Sequence, residues 1–116
     1  MSATDLENTS WKLDSYRDDG AMRRLPAGAE VTLTFQNGAA GGKSGCNRYQ
    51  SAVTVGDDSL VFGPAMGTKM ACPPPLMEIE EKYLRALEAA STWRISGDTL
   101  ELRDGAGQVT LTFSRA

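Results

Sequence analysis

The sequence predicts a mainly β fold of the α+β kind: an antiparallel, barrel-like meander sheet with one amphipathic helix at about residues 76–90. Three observations point there. Apolar and polar residues alternate through most of the chain, the signature of strands with one buried face. Turn pairs such as Asn37-Gly38, Gly97-Asp98 and Asp104-Gly105 separate these runs at intervals of about ten residues, as in barrels and sandwiches. One segment alone switches to helical spacing.

The runs follow in order. Trp11 and Leu13 start the first. Val31, Leu33 and Phe35 form the second, ended by Asn37-Gly38, a pair suited to a tight hairpin. After the glycine-rich residues 38–45, a strand runs from Tyr49 to Val55, with Val53-Thr54-Val55 as its centre. Gly56-Asp57-Asp58 turns the chain into Leu60-Val61-Phe62. The C-terminal third repeats the pattern more cleanly, with Trp93 and Ile95, then Leu100 and Leu102, then Val109, Leu111 and Phe113. The expected core is Trp11, Val31, Leu33, Phe35, Leu60, Phe62, Leu84, Leu87, Ile95, Leu100, Leu102, Leu111 and Phe113.

The helix is expected from Leu76, Ile79, Tyr83, Leu84 and Leu87, which fall on one helical face. Glu78 with Lys82, and Glu81 with Arg85, are acid-before-base pairs four apart, each supporting a helix by a few tenths of a kcal/mol. Pro73-Pro74-Pro75 suits a helix start, where missing N–H groups cost little. Acidic residues expected in the first turns complement the helix dipole. Lys82 is read as facing solvent.

Composition narrows the function. With 116 residues the chain is one domain, placed here at residues 8–115, and it can bury roughly 65% of its unfolded surface. Twelve basic residues against fifteen acidic ones, a net charge of −3, leave no basic excess for a phosphate backbone, so no nucleic-acid partner is expected. No apolar run approaches the length of a membrane-spanning helix. There is no histidine, which removes the commonest general base, the commonest zinc ligand and the usual partner of a nucleophilic Ser or Cys. The start, Met1-Ser2-Ala3-Thr4-Asp5, has neither a charged nor an apolar leader segment. The expected compartment is therefore the cell envelope or periplasm if an export signal lies outside this sequence, and the cytoplasm otherwise.

Ser10-Trp11-Lys12-Leu13, Gly45-Cys46-Asn47-Arg48-Tyr49 and Thr68-Lys69-Met70-Ala71-Cys72 stand in that order, followed by Glu78, Tyr83-Leu84 and the Gly97-Asp98-Thr99-Leu100 hairpin. In these residues the chain resembles the META domain family, also called HslJ-like, over nearly its whole length. The paired Gly-Cys-Asn-Arg-Tyr and Thr-Lys-Met-Ala-Cys segments are the specific part of the likeness. The resemblance implies a small β-rich, barrel-like fold with one helix. It also implies a bacterial envelope setting, often as a lipoprotein, with heat-shock, antibiotic-resistance and motility associations in some members and no common reaction. The lipoprotein signal of many relatives is missing from this sequence.

Several constellations carry competing readings. Cys46 and Cys72 are candidates for a disulfide with Cα atoms within about 7 Å; the bridge would close a loop of about 27 residues, worth roughly 3–4 kcal/mol on the chain-entropy model. Two buried thiols are the second reading. A reactive thiol is the third, with Cys72 just before a helix and Lys43, Arg48 and Lys69 nearby in sequence, although no Cys–His pair is available. Asn47, Arg48 and Tyr49 are candidate binding residues at a barrel mouth; the competing reading has Asn47 shaping a turn and Arg48 meeting an internal acid. Lys69 is the best remaining candidate for a base and is also taken as a candidate binding residue, against its reading as a surface lysine in a loop. Gly42-Lys43-Ser44 lacks the spacing of a phosphate loop and reads as a bulge or wide turn. The aspartates sit beside turns without the pattern of a calcium loop, and Met66, Met70 and Met77 read as core filler, so no metal is expected.

The expectation for function is a non-catalytic binding or structural module serving envelope integrity or stress tolerance. It needs no cofactor, and its partner is an unidentified protein or small ligand. The alternative is a small-ligand carrier or enzyme using the barrel mouth around Asn47, Arg48 and Tyr49. A solvent-filled cavity favours the carrier, and a packed interior favours the module.

Overall fold

The alternation that begins at Trp11 and Leu13 continues to Tyr16 and builds a nine-residue strand, β1 (Ser10–Asp18). The computed structural model describes residues 2–116 and, among them, ten strands and one α-helix. After β1 come β2 (Ala21–Arg24), β3 (Thr32–Gln36), β4 (Ala39–Lys43), β5 (Arg48–Val55), β6 (Leu60–Phe62) and β7 (Met66–Gly67). Then follow α1 (Pro74–Ala89), β8 (Ala90–Ser96), β9 (Thr99–Asp104) and β10 (Val109–Arg115).

Strand order is β6-β5-β4-β3-β1-β10-β9-β8, antiparallel throughout, with β2 added to β1 and β7 to β5 off this path. The two ends of the sheet meet at a bridge between Ser59 and Thr92, reinforced by the Trp93 N–H donating to Asp58 O at 3.0 Å. The sheet is thus a nearly closed barrel. Right-handed twist and one buried face per strand bring a long meander to closure and remove most of its free edges.

Because neighbours alternate in direction, β1, β4, β6 and β9 end at the same rim from which β3, β5, β8 and β10 start. The helix arrives at that rim, burying Ile79, Tyr83, Ala86 and Leu87. Tyr83 is fully buried, with its ring edge-on to Tyr49 at 5.6 Å and to Phe113 at 6.4 Å. The opposite rim is covered by Leu6, which is buried beyond the expected domain start; Asn8 N–H donates to Phe35 O and Phe35 N–H to Thr9 O nearby. Between the rims, Trp11, Leu33, Leu100, Leu102, Leu111 and Phe113 are fully buried. Each such side chain contributes about 1.5–3 kcal/mol relative to exposure.

The structure departs from the sequence expectations at several points. The helix starts at Pro74, with proline in its first two positions, so Glu78, Glu80 and Glu81 lie in its second turn and the first turn holds no acid. Leu84 and Ile95 are half-buried, because Leu84 lies at the margin of the helix's inner face and Ile95 beside the Gly97-Asp98 turn of its hairpin. Met66, Met70 and Met77 are exposed rather than core filler. Lys82 turns from solvent to an ion cluster, its Nζ 2.7 Å from Asp18 Oδ1 at the end of β1 and 2.8 Å from Glu78 Oε1. The added strands β2 and β7 carry too little alternation to be read as strands: Ala-Met-Arg-Arg, and a two-residue Met-Gly. The Asn37-Gly38 turn is as expected, with φ of 54° and 74°, the left-handed pair a tight hairpin requires.

Candidate functional site

The segment between β4 and β5 folds under the helix. Gly45 turns the chain at φ 101°, and a Cβ there would stand 3.3 Å from Leu76 O, so glycine lets the helix approach closely. The loop then presents donors to one carboxylate on α1. Glu80 Oε1 accepts the Asn47 backbone N–H at 2.7 Å and lies 2.6 Å from the Ser44 hydroxyl, while Oε2 accepts Asn47 Nδ2–H at 2.9 Å. Burial pushes the Glu80 carboxyl up. The hydrogen bonds from Ser44, the Asn47 side chain, and the Asn47 and Cys46 backbone outweigh it and hold the carboxyl below the usual glutamate range.

Asn47 is 5% exposed, and its amide is spent on the fold. Oδ1 accepts the Met70 N–H at 2.7 Å and the Thr68 hydroxyl at 2.9 Å. Nδ2 donates to Glu80 and, more weakly, to Met70 O at 3.4 Å. Cys46 and Cys72 form a disulfide with Cα atoms 5.9 Å apart. The two sequence segments singled out above are therefore stitched together twice, by Asn47 to Thr68 and Met70 and by Cys46 to Cys72. Of the three cysteine readings the structure realises the disulfide, so neither sulfur is a free thiol.

Tyr49 is buried at the same rim. Its hydroxyl donates to Thr32 O at 2.7 Å and meets the Tyr83 hydroxyl at 2.5 Å. Burial pushes both phenols well above the ordinary tyrosine range, so they act as neutral hydrogen-bonding groups. Arg48 and Lys69, by contrast, are exposed. Among the described residues no side-chain hydrogen bond or ion pair engages either of them, and the internal acid expected for Arg48 is not there. Asp18, at the end of β1, is taken by Lys82 and by Arg23, whose Nε lies 2.7 Å from Asp18 Oδ2. The Lys82 hydrogen bond, opposed by burial and supported by both cations, holds Asp18 below its usual range; its hydrogen bonds to Asp18 and Glu78 raise Lys82.

Of the four candidate binding residues, the fold places Asn47 and Tyr49 inside the rim and Arg48 and Lys69 outside it. Glu80 went unnoticed in the sequence. A signal existed: an acid between Leu76 and Tyr83 on the helix's apolar face needs a partner if the helix packs there. Among the described residues no three His, Cys, Asp or Glu side chains gather to hold a metal. No helix among them is long and apolar enough to cross a membrane.

Outside the barrel, β7 and the segment leading to it form a wall against β5, leaving an open groove of ≈ 1350 Å³ over β3, β4 and β5. Thr34, Gly41, Gln50 and Met66 follow one another across its strands. Gly41 is dictated by the sheet, since a Cβ there would lie 2.6 Å from Tyr49 O.

A protein from Burkholderia xenovorans with an NMR structure is 36% identical to this chain at a TM-score of 0.80, covering 98% of this chain and 86% of that one. A second protein known from an NMR structure matches at 18% identity and a TM-score of 0.72, covering 98% and 94%. A DUF4847 family protein from Bacteroides vulgatus matches at 13% identity and a TM-score of 0.63, covering 94% and 93%. The last two likenesses are likenesses of fold. No curated protein matches the chain. The META domain profile matches residues 4–116, including the Cys46–Cys72 bridge and the Asn47 stitch, and the chain belongs to the META domain family.

Proposed function

We propose that this domain is a non-catalytic interaction module, a rigid barrel whose outer surface does the binding. One observation carries the reading: the interior is filled by side chains from every strand of the barrel, with α1 over one rim and Leu6 over the other. The groups that looked available for chemistry at the rim are occupied, Asn47 and Glu80 by each other and by the loop, Tyr49 by Tyr83 and Thr32, the cysteines by their bridge. The carrier or enzyme at the barrel mouth ranks second, because it requires these bonds and the helix to open.

Service in envelope integrity or stress tolerance is part of the proposal. The disulfide supports it, since such bonds persist in oxidising compartments. The test is a panel of ester, peptide, phosphate and glycoside substrates together with a thermal-shift screen of small molecules. No turnover and no shift upholds the module. Turnover that disappears in Lys69→Ala, with circular dichroism unchanged, makes it an enzyme.

A further inference from the structure

The outer groove differs in charge from the rest of the molecule. The chain carries fifteen acidic residues, yet none lines this groove, and its one charged lining residue is Arg48. Strand register gathers more positive charge at the same end. Lys43 pairs with Arg48 across β4 and β5, and Lys12 pairs with Thr32 across β1 and β3. Lys43 has one acidic neighbour, Glu30 at 3.5 Å, in an exposed pair of the kind that water and salt readily loosen. The Arg48 guanidinium has no ion pair or hydrogen bond among the described residues. Along the groove from this end stand the neutral donors and acceptors of Thr34, Gln36 and Gln50.

We propose that this groove docks an extended, acidic segment of a partner polypeptide, with its carboxylates at Arg48, Lys43 and Lys12. The inference rests on the module reading above and names its surface and partner. Charge complementarity favours an anion: unpaired and loosely paired cations border a groove free of carboxylates, on a protein whose net charge of −3 otherwise repels one. The remaining lining favours a peptide. Thr, Gln and Asn side chains can meet main-chain N–H and C=O groups, and Met66, 76% exposed on the wall, is the adaptable kind of side chain enriched where proteins bind. All eight aromatic side chains are buried, so the stacking platforms by which single-stranded nucleic acids are held do not face this groove.

The test uses a fluorescein-labelled hexaglutamate peptide, with a Gly-Ser hexapeptide as the neutral control and a labelled oligothymidylate as the competing polyanion. Binding is followed by anisotropy at low and physiological salt and by amide shifts of the ¹⁵N-labelled oxidised protein. Hexaglutamate should bind, more weakly at higher salt, and move the amides of Thr34, Gly41 and Gln50. Arg48→Glu should weaken it by about tenfold or more, the loss of one well-placed charge contact. Ala52→Phe, which narrows the groove without changing charge, should weaken it too, and Arg94→Glu on β8 should leave it unchanged. Unfolding curves confirm that each variant is folded. Absence of binding, equal loss in Arg94→Glu, an unaffected Ala52→Phe, or tighter binding of oligothymidylate in the same groove each overturns the proposal. Turnover in the substrate panel would instead remove the module reading itself, so the two failures are distinct.

Discussion

The C-terminal meander and the helix rim are held by different forces. In β8, β9 and β10, Trp93, Leu100, Leu102, Leu111 and Phe113 point inward at period two, and the hairpins between them are short. Their stability is area removed from water, spread over many side chains. At the rim, the four-residue loop between β4 and β5, the six-residue connection between β7 and α1 and one helical turn are joined by a carboxylate, an amide and a disulfide. The helix buries Ile79, Tyr83 and Leu87 there, but directional bonds fix how the loop and the connection meet it. An apolar strand tolerates slight shifts of its neighbours. The rim does not, because moving Asn47 unmakes bonds to Thr68, Met70 and Glu80 together.

The comparison can be broken most severely in the meander. Leu111→Ala should cost about 2–5 kcal/mol in urea unfolding, the range for a buried leucine leaving a cavity. Leu84→Ala, at a half-buried position, should cost distinctly less; equal losses would mean that burial does not separate the two sites.

Next comes the bridge. Cys46→Ser with Cys72→Ser, or reduction by a dithiol, should cost roughly 3–4 kcal/mol of stability through the freed loop. Amide exchange should separate the regions: the Met70 N–H should lose protection while Leu102 and Leu111 keep theirs below global unfolding. Uniform loss of protection would make the rim and the meander one unit.

Glu80→Gln should cost about 1–3 kcal/mol, because a Gln amide turns a donor toward donors from Ser44 or Asn47. Its signature is in the pH dependence. The folded carboxyl is held below its unfolded range, so as pH falls the unfolded chain takes up this proton first. The Glu80 contribution is complete above the unfolded value and is lost as pH falls through the folded one. Acid unfolding of Glu80→Gln should therefore show a shallower loss from about pH 5 downward. An acid limb as steep as that of the parent protein would contradict the donor cage.

The smallest effect belongs to the cluster tying β1 to the helix. A double-mutant cycle on Asp18 and Lys82 should give only a small coupling that salt reduces further, because both groups remain in contact with water. A larger, salt-insensitive coupling would place this pair with the rim's directional bonds.

The meander was legible because alternation is a local property: Leu100, Leu102, Leu111 and Phe113 announce their face through their immediate neighbours. The helix was legible through Ile79, Tyr83 and Leu87, although its start moved to Pro74 because proline fits the first helical positions without losing a hydrogen bond. The rim was legible only in part. Cys46 and Cys72 drew attention as the two cysteines of the chain, and Asn47 as a turn residue. That Asn47 and Glu80 saturate each other could not be read, since the two are separated by 33 positions and meet only when the barrel closes. Lys82 looks solvent-facing in the sequence for the same reason. Its partner Glu78 lies one helical turn away, but Asp18 comes from the first strand.

Taken by itself, then, the amino-acid order determined the inward and outward faces of the strands, the helix stripe and the tight Asn37-Gly38 turn. These follow from the periods of the backbone and from φ preferences, which act over a few residues. Tertiary structure decided which polar groups are spent and which remain free. Asn47 and Tyr49 went inside the rim, Arg48 stayed outside, and β7 walled a groove beside it. A polar side chain's fate depends on the partner that long-range closure brings to it, and in water almost any partner is nearly isoenergetic until burial makes the choice binding.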